Sequence, residues 1–215
     1  MNSEDYSELE KKTIESYDRN AELWASEHAV TSDRAELIEY WTRKYFNRDD
    51  LVLEIGCGGG RDAVEILKNG LKYFGTDASA GLIEVAKATV PEADFECLNV
   101  FDLHKLSQKF DGFWSNAVLL HIPRSRIHAA LRQINIVLRT GAVGVIIIKD
   151  GDKDDFEVRD VGAMHEERLF VYWQKDDFSA VLQECGFATL KYTYEPISAR
   201  TNWHVFIVRK VDDLA

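Results

Sequence analysis

One segment restricts the fold more than any other: Leu51-Val52-Leu53-Glu54-Ile55-Gly56-Cys57-Gly58-Gly59-Gly60-Arg61-Asp62. A short apolar run ends in glycines and opens into a helical pattern. Glycines there permit positive φ and let a ligand approach the backbone closely. The helix start that follows offers unpaired N–H groups and a positive dipole end to an anion. The spacing is acid-x-Gly-x-Gly-x-Gly, from Glu54, Gly56, Gly58 and Gly60. In a dinucleotide loop the third glycine would fall at residue 61, which is Arg. No Lys-Ser/Thr follows, so a Walker-type phosphate loop is excluded. The plain alternative is a tight glycine turn with no ligand. A second signal is Asp77, 21 residues after Gly56, at the end of a predicted strand. Its carboxylate suits the two hydroxyls of a ribose, although a helix N-cap before Ala80 would also explain it.

The flanking pattern alternates strands and helices. Strands are expected at 51–56, 73–77, 94–100, 110–116 and 142–150, and helices at 61–70, 80–90 and 124–139. Gly70 suits a helix end, Pro91 stops the second helix, and Pro123 suits a first turn. AVGVIIIKD is apolar almost throughout and reads as a central strand covered on both faces. Such alternation implies βαβ units, a parallel sheet and right-handed crossovers. Residues 1–49 read as a helical extension, with a helix near 32–46 capped by Ser32 or Asp33. A final helix fits 176–187, and strands at 188–196 and 201–210 read as an antiparallel pair at a sheet edge.

Residues 150–174 break the rhythm and read as a solvated or mobile insertion. Asp150, Asp152 and Asp154 imitate a calcium loop, but Asp155 and Val161 stand where glycine and glutamate are required. A chain of 215 residues makes one domain, a 1–49 extension on a 50–215 core. The net charge of −11 disfavours nucleic acid and anionic membrane as partners. Three widely spaced cysteines and an acidic, polar N-terminus point to a reduced, cytoplasmic chain without disulfides. No histidine spacing suggests a held metal.

The loop, then Gly75-Thr76-Asp77-Ala78-Ser79, LNVFDL from 98 and FDGFWSNAVLLHIP from 110, together resemble the class I S-adenosylmethionine-dependent methyltransferases. The likeness covers about residues 13–210 and is nearest to small-molecule enzymes that open with Tyr-Asp-x-x-Ala, here Tyr17 to Ala21. It implies a Rossmann-like α/β fold: a seven-stranded sheet, mostly parallel with an antiparallel last strand, helices on both faces and an N-terminal helical lid. It implies S-adenosylmethionine as cofactor and a small molecule as methyl acceptor. Glu54 and the loop, with Gly56, Cys57, Gly58 and Gly60, would hold the methionine part. Asp77 would take the ribose hydroxyls and Ala78 would pack beside adenine. Asn99 stands where the family often has Asp, and Val100 would offer its N–H to the ring. Asn116 and Ala117 would lie near the methionine amine. Arg168 and Tyr172, in ERLFVYW, would border the acceptor, although an alternating strand explains that segment equally well.

His121 is the leading base candidate, because it lies just past the fourth strand, where open α/β sheets bind ligands. A histidine that merely bonds backbone is the alternative. Tyr17 would close over the cofactor from the lid, and Trp24 would line the same lid or its core. His204 reads as a packing residue. A non-catalytic relative remains possible, as does an NAD-dependent dehydrogenase, whose Tyr-x-x-x-Lys pair is imitated by Tyr40 and Lys44.

Overall fold

The computed structural model describes residues 3–28, 31–151, 156–160, 166–198 and 201–211. Three helices come first: α1 (Ser3–Arg19), α2 (Ala21–Glu27) and α3 (Ser32–Tyr45). The alternating part then runs β1 (Leu51–Ile55), α4 (Arg61–Lys68), β2 (Lys72–Asp77), α5 (Ala80–Thr89), β3 (Asp94–Cys97), β4 (Phe110–Asn116), α6 (Ile127–Val137) and β5 (Leu138–Lys149). After it come β6 (Phe156–Asp160), β7 (Glu167–Val171), α7 (Lys175–Glu184), β8 (Phe187–Ser198) and β9 (Thr201–Lys210).

Seven strands form one sheet in the order β3-β2-β1-β4-β5-β9-β8. All its pairings are parallel except those of β9, which runs antiparallel to both β5 and β8. The last strand in sequence is therefore the antiparallel one. It sits inside the sheet, with β8 at the edge. Strand order reverses between β1 and β4, and a crevice opens there at the carboxyl ends.

The continuous apolar run in β5 follows from its place in the sheet. Ala142, Ile146 and Ile148 pack into one layer with α6 and α7, while Val143, Val145 and Ile147 pack into the other with α3 and α4. Successive side chains point to opposite faces, so a strand covered twice is apolar at every step. The rings of Phe113 and Trp114 on β4 divide between the same two layers.

Several boundaries differ from expectation. Helix α3 begins at Ser32 with Thr31 as its N-cap, which makes no side-chain cap bond, so neither Ser32 nor Asp33 caps it. The third strand stops at Cys97, because Asn99 Oδ1 accepts from the Phe101 N–H and starts a 3₁₀ turn. The helix expected over 124–139 is α-helical only over Ile127–Val137, and β5 starts at once, opposite Phe110. The largest correction concerns 150–174. Strands β6 and β7 form an antiparallel ribbon there. Strand β7 is the strand that the ERLFVYW pattern offered, with Leu169, Phe170 and Val171 all buried, whereas charge hid β6. Asp152, Asp154, Asp155 and Val161 lie outside the described residues. Asp150 has a structural use: it pairs with His204 at 3.0 Å and accepts from Tyr194 Oη at 3.0 Å.

Helix α1 is tied on by the Tyr-Asp-x-x-Ala segment. Asp18 Oδ1 accepts from the Gly81 N–H at 2.6 Å and from Ser79 Oγ at 3.0 Å, at the start of α5. Ala21 is buried against Gly81, where a Cβ would lie 3.1 Å away. On the other flank, Thr13 Oγ1 accepts from the Leu169 N–H at 2.8 Å, joining α1 to β7.

Candidate active site

The crevice is a cavity of about 700 Å³, within the range of small-molecule sites. Strand ends β1, β2, β4 and β5 form its floor, with α1, α2 and β7 around it. Of the residues singled out from sequence, Glu54, Gly56, Cys57, Gly58, Asp77, Ala78, Asn99, Val100, Asn116, Ala117, Tyr17, Trp24, His121 and Arg168 line it.

Two predicted residues lie elsewhere. Gly60 does not line the cavity: it packs against α5, where a Cβ would meet Ala86 and Val90. Tyr172 is also outside. Strand β7 ends at Val171, and the chain turns so that the Tyr172 ring packs against Gly151.

The glycine loop is held by its own hydrogen bonds. The N–H groups of Gly56 and Cys57 donate to the Thr76 carbonyl, and that of Gly60 to Cys57. The Gly58 N–H donates to Asp77 Oδ2 at 2.9 Å, and the Ser79 N–H to Oδ1 at 2.9 Å. Asp77 is thus aimed rather than capping a helix; the N-cap of α5 is Ser79, whose Oγ accepts from the Leu82 N–H. Each carboxylate oxygen can still take a second donor. Gly58 has φ +55°, and the ring of Trp24 would lie 2.7 Å from a Cβ there. That bare backbone is what lets α2 close over the loop.

Beneath the loop lies a buried polar cluster. Asp62, 2% exposed, accepts from Arg34 Nε at 2.9 Å and Nη2 at 2.5 Å, and from Arg61 Nε at 2.8 Å. It also accepts from Trp114 Nε1 and Asn116 Nδ2, each at 3.0 Å. Burial works to raise its carboxyl, and Arg34 and Arg61 overcome this and hold it below the usual range. Glu54 accepts from the Tyr73 hydroxyl at 2.5 Å; burial, and then the Asp62 charge, push its carboxyl well up. Burial, and then Asp77, likewise keep the Cys57 thiol protonated.

At the other end His121 joins three elements. Its Nδ1 donates to the Leu169 carbonyl at 2.5 Å, because a carbonyl can only accept. Its Nε2 therefore carries the lone pair, and the Tyr17 hydroxyl donates to it at 2.9 Å. Burial, despite that backbone bond, pulls the imidazole down to about 4, helped by the positive Arg168 and Lys149. The Tyr17 ring stands edge-on to Trp24, with centroids 5.9 Å apart. His121 bonds backbone, as the plain alternative had it, and it also lines the cavity.

Arg34, Asp62, Lys149 and Phe170 were not found from sequence. Arg34 reaches Asp62 across 28 residues, and no local pattern announces that pair. Lys149 had a signal, since it ends the central apolar strand at the ligand-binding edge of the sheet. The Tyr40–Lys44 pair lies on the outer side of α3, with Tyr40 46% exposed and away from the cavity.

The profile of the methyltransferase domain family matches residues 52–141. A ubiquinone biosynthesis O-methyltransferase of Coxiella burnetii is 34% identical over 76 residues, 34% of this chain and 32% of that protein. The O-methyltransferase resE of Aspergillus sclerotiorum is 29% identical over 152 residues, 66% of this chain and 56% of that one. The chain thus spans about a third to just over half of these relatives. Among solved structures, a Burkholderia thailandensis 1,6-didemethyltoxoflavin-N1-methyltransferase with bound 1,6-didemethyltoxoflavin and S-adenosylhomocysteine superposes with a TM-score of 0.72. Its identity is 19%, over 99% of this chain and 92% of that one. Residues 52–141 match the methyltransferase domain family, and the chain as a whole shares its fold, a mostly parallel seven-stranded sheet with an antiparallel last strand, with that S-adenosylhomocysteine-bound methyltransferase.

Proposed function

We propose that this chain transfers a methyl group from S-adenosylmethionine to a small-molecule acceptor. The observation that carries this reading is the Gly58–Asp77 contact, which aims a carboxylate and a glycine loop into one cavity at the switch point. Asp77 would take the ribose hydroxyls, and Ala78 and Val100 would flank the adenine. Asn99 Oδ1 already caps the 3₁₀ turn and has one lone pair left for the adenine amine. Two guanidiniums against one ionised Asp62 leave a surplus positive charge, which suits the cofactor's carboxylate. When bound, the cofactor supplies a sulfonium-activated methyl group: an acceptor lone pair forms the new bond to carbon, and the C–S pair stays with sulfur as S-adenosylhomocysteine.

The chain's own part is orientation and exclusion of water. Trp24 and Tyr17 would close the cavity from the N-terminal helices. Tyr17 and His121 would be the catalytic pair. A neutral imidazole of such low basicity takes a proton only from an acidic group, so the pair would orient the acceptor more than deprotonate it. Arg168 would border the acceptor. The names of the two O-methyltransferase relatives favour oxygen as the accepting atom. A cytoplasmic setting is supported by the free thiols of Cys57, Cys97 and Cys185.

Calorimetric titration with S-adenosylmethionine, S-adenosylhomocysteine and NAD tests the reading. The first two should bind wild type in the micromolar range, and Asp77→Ala should bind them about 10- to 100-fold more weakly, the worth of charge-assisted hydrogen bonds. Binding of NAD instead would favour a dehydrogenase. No binding of any of the three would leave a scaffold.

A further inference from the structure

Glu54 is 2% exposed and still forms part of the cavity wall, two residues before Gly56. Its hydrogen-bond partner is the Tyr73 hydroxyl of β2, which donates to it at 2.5 Å and brings no charge. The cations of the cluster bond its neighbour instead. Arg34, from α3, gives Nε and Nη2 to Asp62, and Arg61, on α4, gives Nε to the same carboxylate. Strand β4 pairs with β1 and brings Trp114 and Asn116, which are uncharged and also donate to Asp62. The loop adds the protonated Cys57 thiol. At the end of β2, Asp77 is held by the N–H groups of Gly58 and Ser79. A buried carboxyl without a cation bonded to it keeps its proton rather than bear a charge. Burial, and then the Asp62 charge, push Glu54 that way, against Tyr73, Arg61 and Arg34. The cluster then holds the positive Arg34 and Arg61 against the negative Asp62 alone. An incoming amino acid carries an ammonium and a carboxylate, which cancel. The positive surplus persists until one more acid ionises, and Glu54 is the acid in the cluster with a proton to give.

Resting on the methyltransferase reading, we propose that Glu54 is a proton switch for the amino-acid end of the cofactor: a neutral acid in the free protein, it gives its proton to solvent when an ammonium group arrives beside it. The positive groups are then Arg34, Arg61 and the ammonium, and the negative ones are Asp62, the cofactor's carboxylate and Glu54, so the buried set is balanced. The pH dependence follows. Glu54 holds its proton in the free protein and has lost it in the complex, so raising the pH favours the complex. The association constant should rise by up to about tenfold per pH unit while the free protein stays protonated, and level off above that range. The switch also selects. A nucleoside without an ammonium group leaves Glu54 neutral.

The test separates this proposal from the reading beneath it. Wild type is titrated calorimetrically with S-adenosylhomocysteine near about pH 6.5, where the ligand's own ammonium is charged, in phosphate and in imidazole buffer. Failure to bind sinks the methyltransferase reading itself. Where binding occurs, the difference in heat between the buffers counts the protons released. About one is expected for S-adenosylhomocysteine. About none is expected for 5′-methylthioadenosine, which carries the ribose that Asp77 would take but no ammonium. Glu54→Gln imitates the neutral acid, so its urea midpoint near that pH should match wild type. It should release no proton and bind S-adenosylhomocysteine about tenfold more weakly at about pH 8. Infrared difference spectra need no variant: adding S-adenosylhomocysteine to wild type should remove the carbonyl stretch of one protonated carboxyl. Four results would overturn the proposal: binding without proton release, equal release with 5′-methylthioadenosine, release that persists in Glu54→Gln, or a protonated carboxyl band unchanged by binding.

Discussion

At the scale of single residues, the site works by assigning protons before any ligand arrives. Leu169 fixes the His121 tautomer, and Tyr17 occupies its lone pair. Nitrogen-15 NMR should show His121 neutral, protonated on Nδ1, from pH 8 down to pH 5. The same residue links stability to pH. Unfolded histidine takes a proton near 6.5, and folded His121 only near 4. Between those values the unfolded chain binds more protons, so stability falls as pH drops through the window, by about 2–3 kcal/mol. Urea denaturation at pH 7 and pH 4.5 should show this loss, and His121→Asn should reduce it. An equal loss in the variant would mean that other groups carry the dependence. None of this was legible in the sequence, which placed His121 at the strand end but not the carbonyl of Leu169, 48 residues away, beside it.

At the scale of elements, the sheet depends on close approach at a few points. A Cβ on Gly144 in β5 would stand 1.9 Å from Phe113 Cε1 in β4, and Phe113 is fully buried. The ring has nowhere to move in a close-packed layer. Gly144→Ala should therefore cost about 3 kcal/mol, read as a lower urea midpoint with an unchanged slope. A loss under about 1 kcal/mol would mean that β4 and β5 separate easily. Most elements were legible, because a 2-residue or 3.6-residue apolar period is local information. The exception is the β6–β7 ribbon. A two-stranded ribbon shows no alternation when one strand is charged and the other packs on a helix from the far end of the chain. The apolar Leu169-Phe170-Val171 run was there to be read, but only α1 and the turn at His121 give it a place to pack.

Across the whole molecule, α3 is packed into an apolar layer, whereas α1 is held to the core largely by side-chain bonds. Tyr17 to His121, Asp18 to Gly81, Thr13 to Leu169 and the Glu10–Arg126 ion pair carry α1. Strands β4 and β5, in contrast, are buried on both faces and should open only with global unfolding. Hydrogen exchange should therefore be faster in α1 and α2 than in β4 and β5. Bound S-adenosylhomocysteine should slow α1 and α2 more than its general stabilisation slows the core strands. Uniform slowing everywhere would show that these helices do not close over the ligand. No helix among the described residues is long and apolar enough to cross a membrane. The buried apolar side chains lie in the two layers flanking the sheet.

The sequence by itself determined the βαβ alternation, the glycine loop, the Asp77 strand end and the covered central strand. Each is written in neighbouring residues, because backbone freedom and apolar period act over a turn or a strand. Tertiary structure alone decided that Arg34 neutralises Asp62, that β9 lies inside β8, and that Lys149, Arg168 and His121 meet around the Phe170 ring. Those pairings join residues tens of positions apart. Loop closure and packing select them after the local elements exist, and no short window of sequence contains both partners.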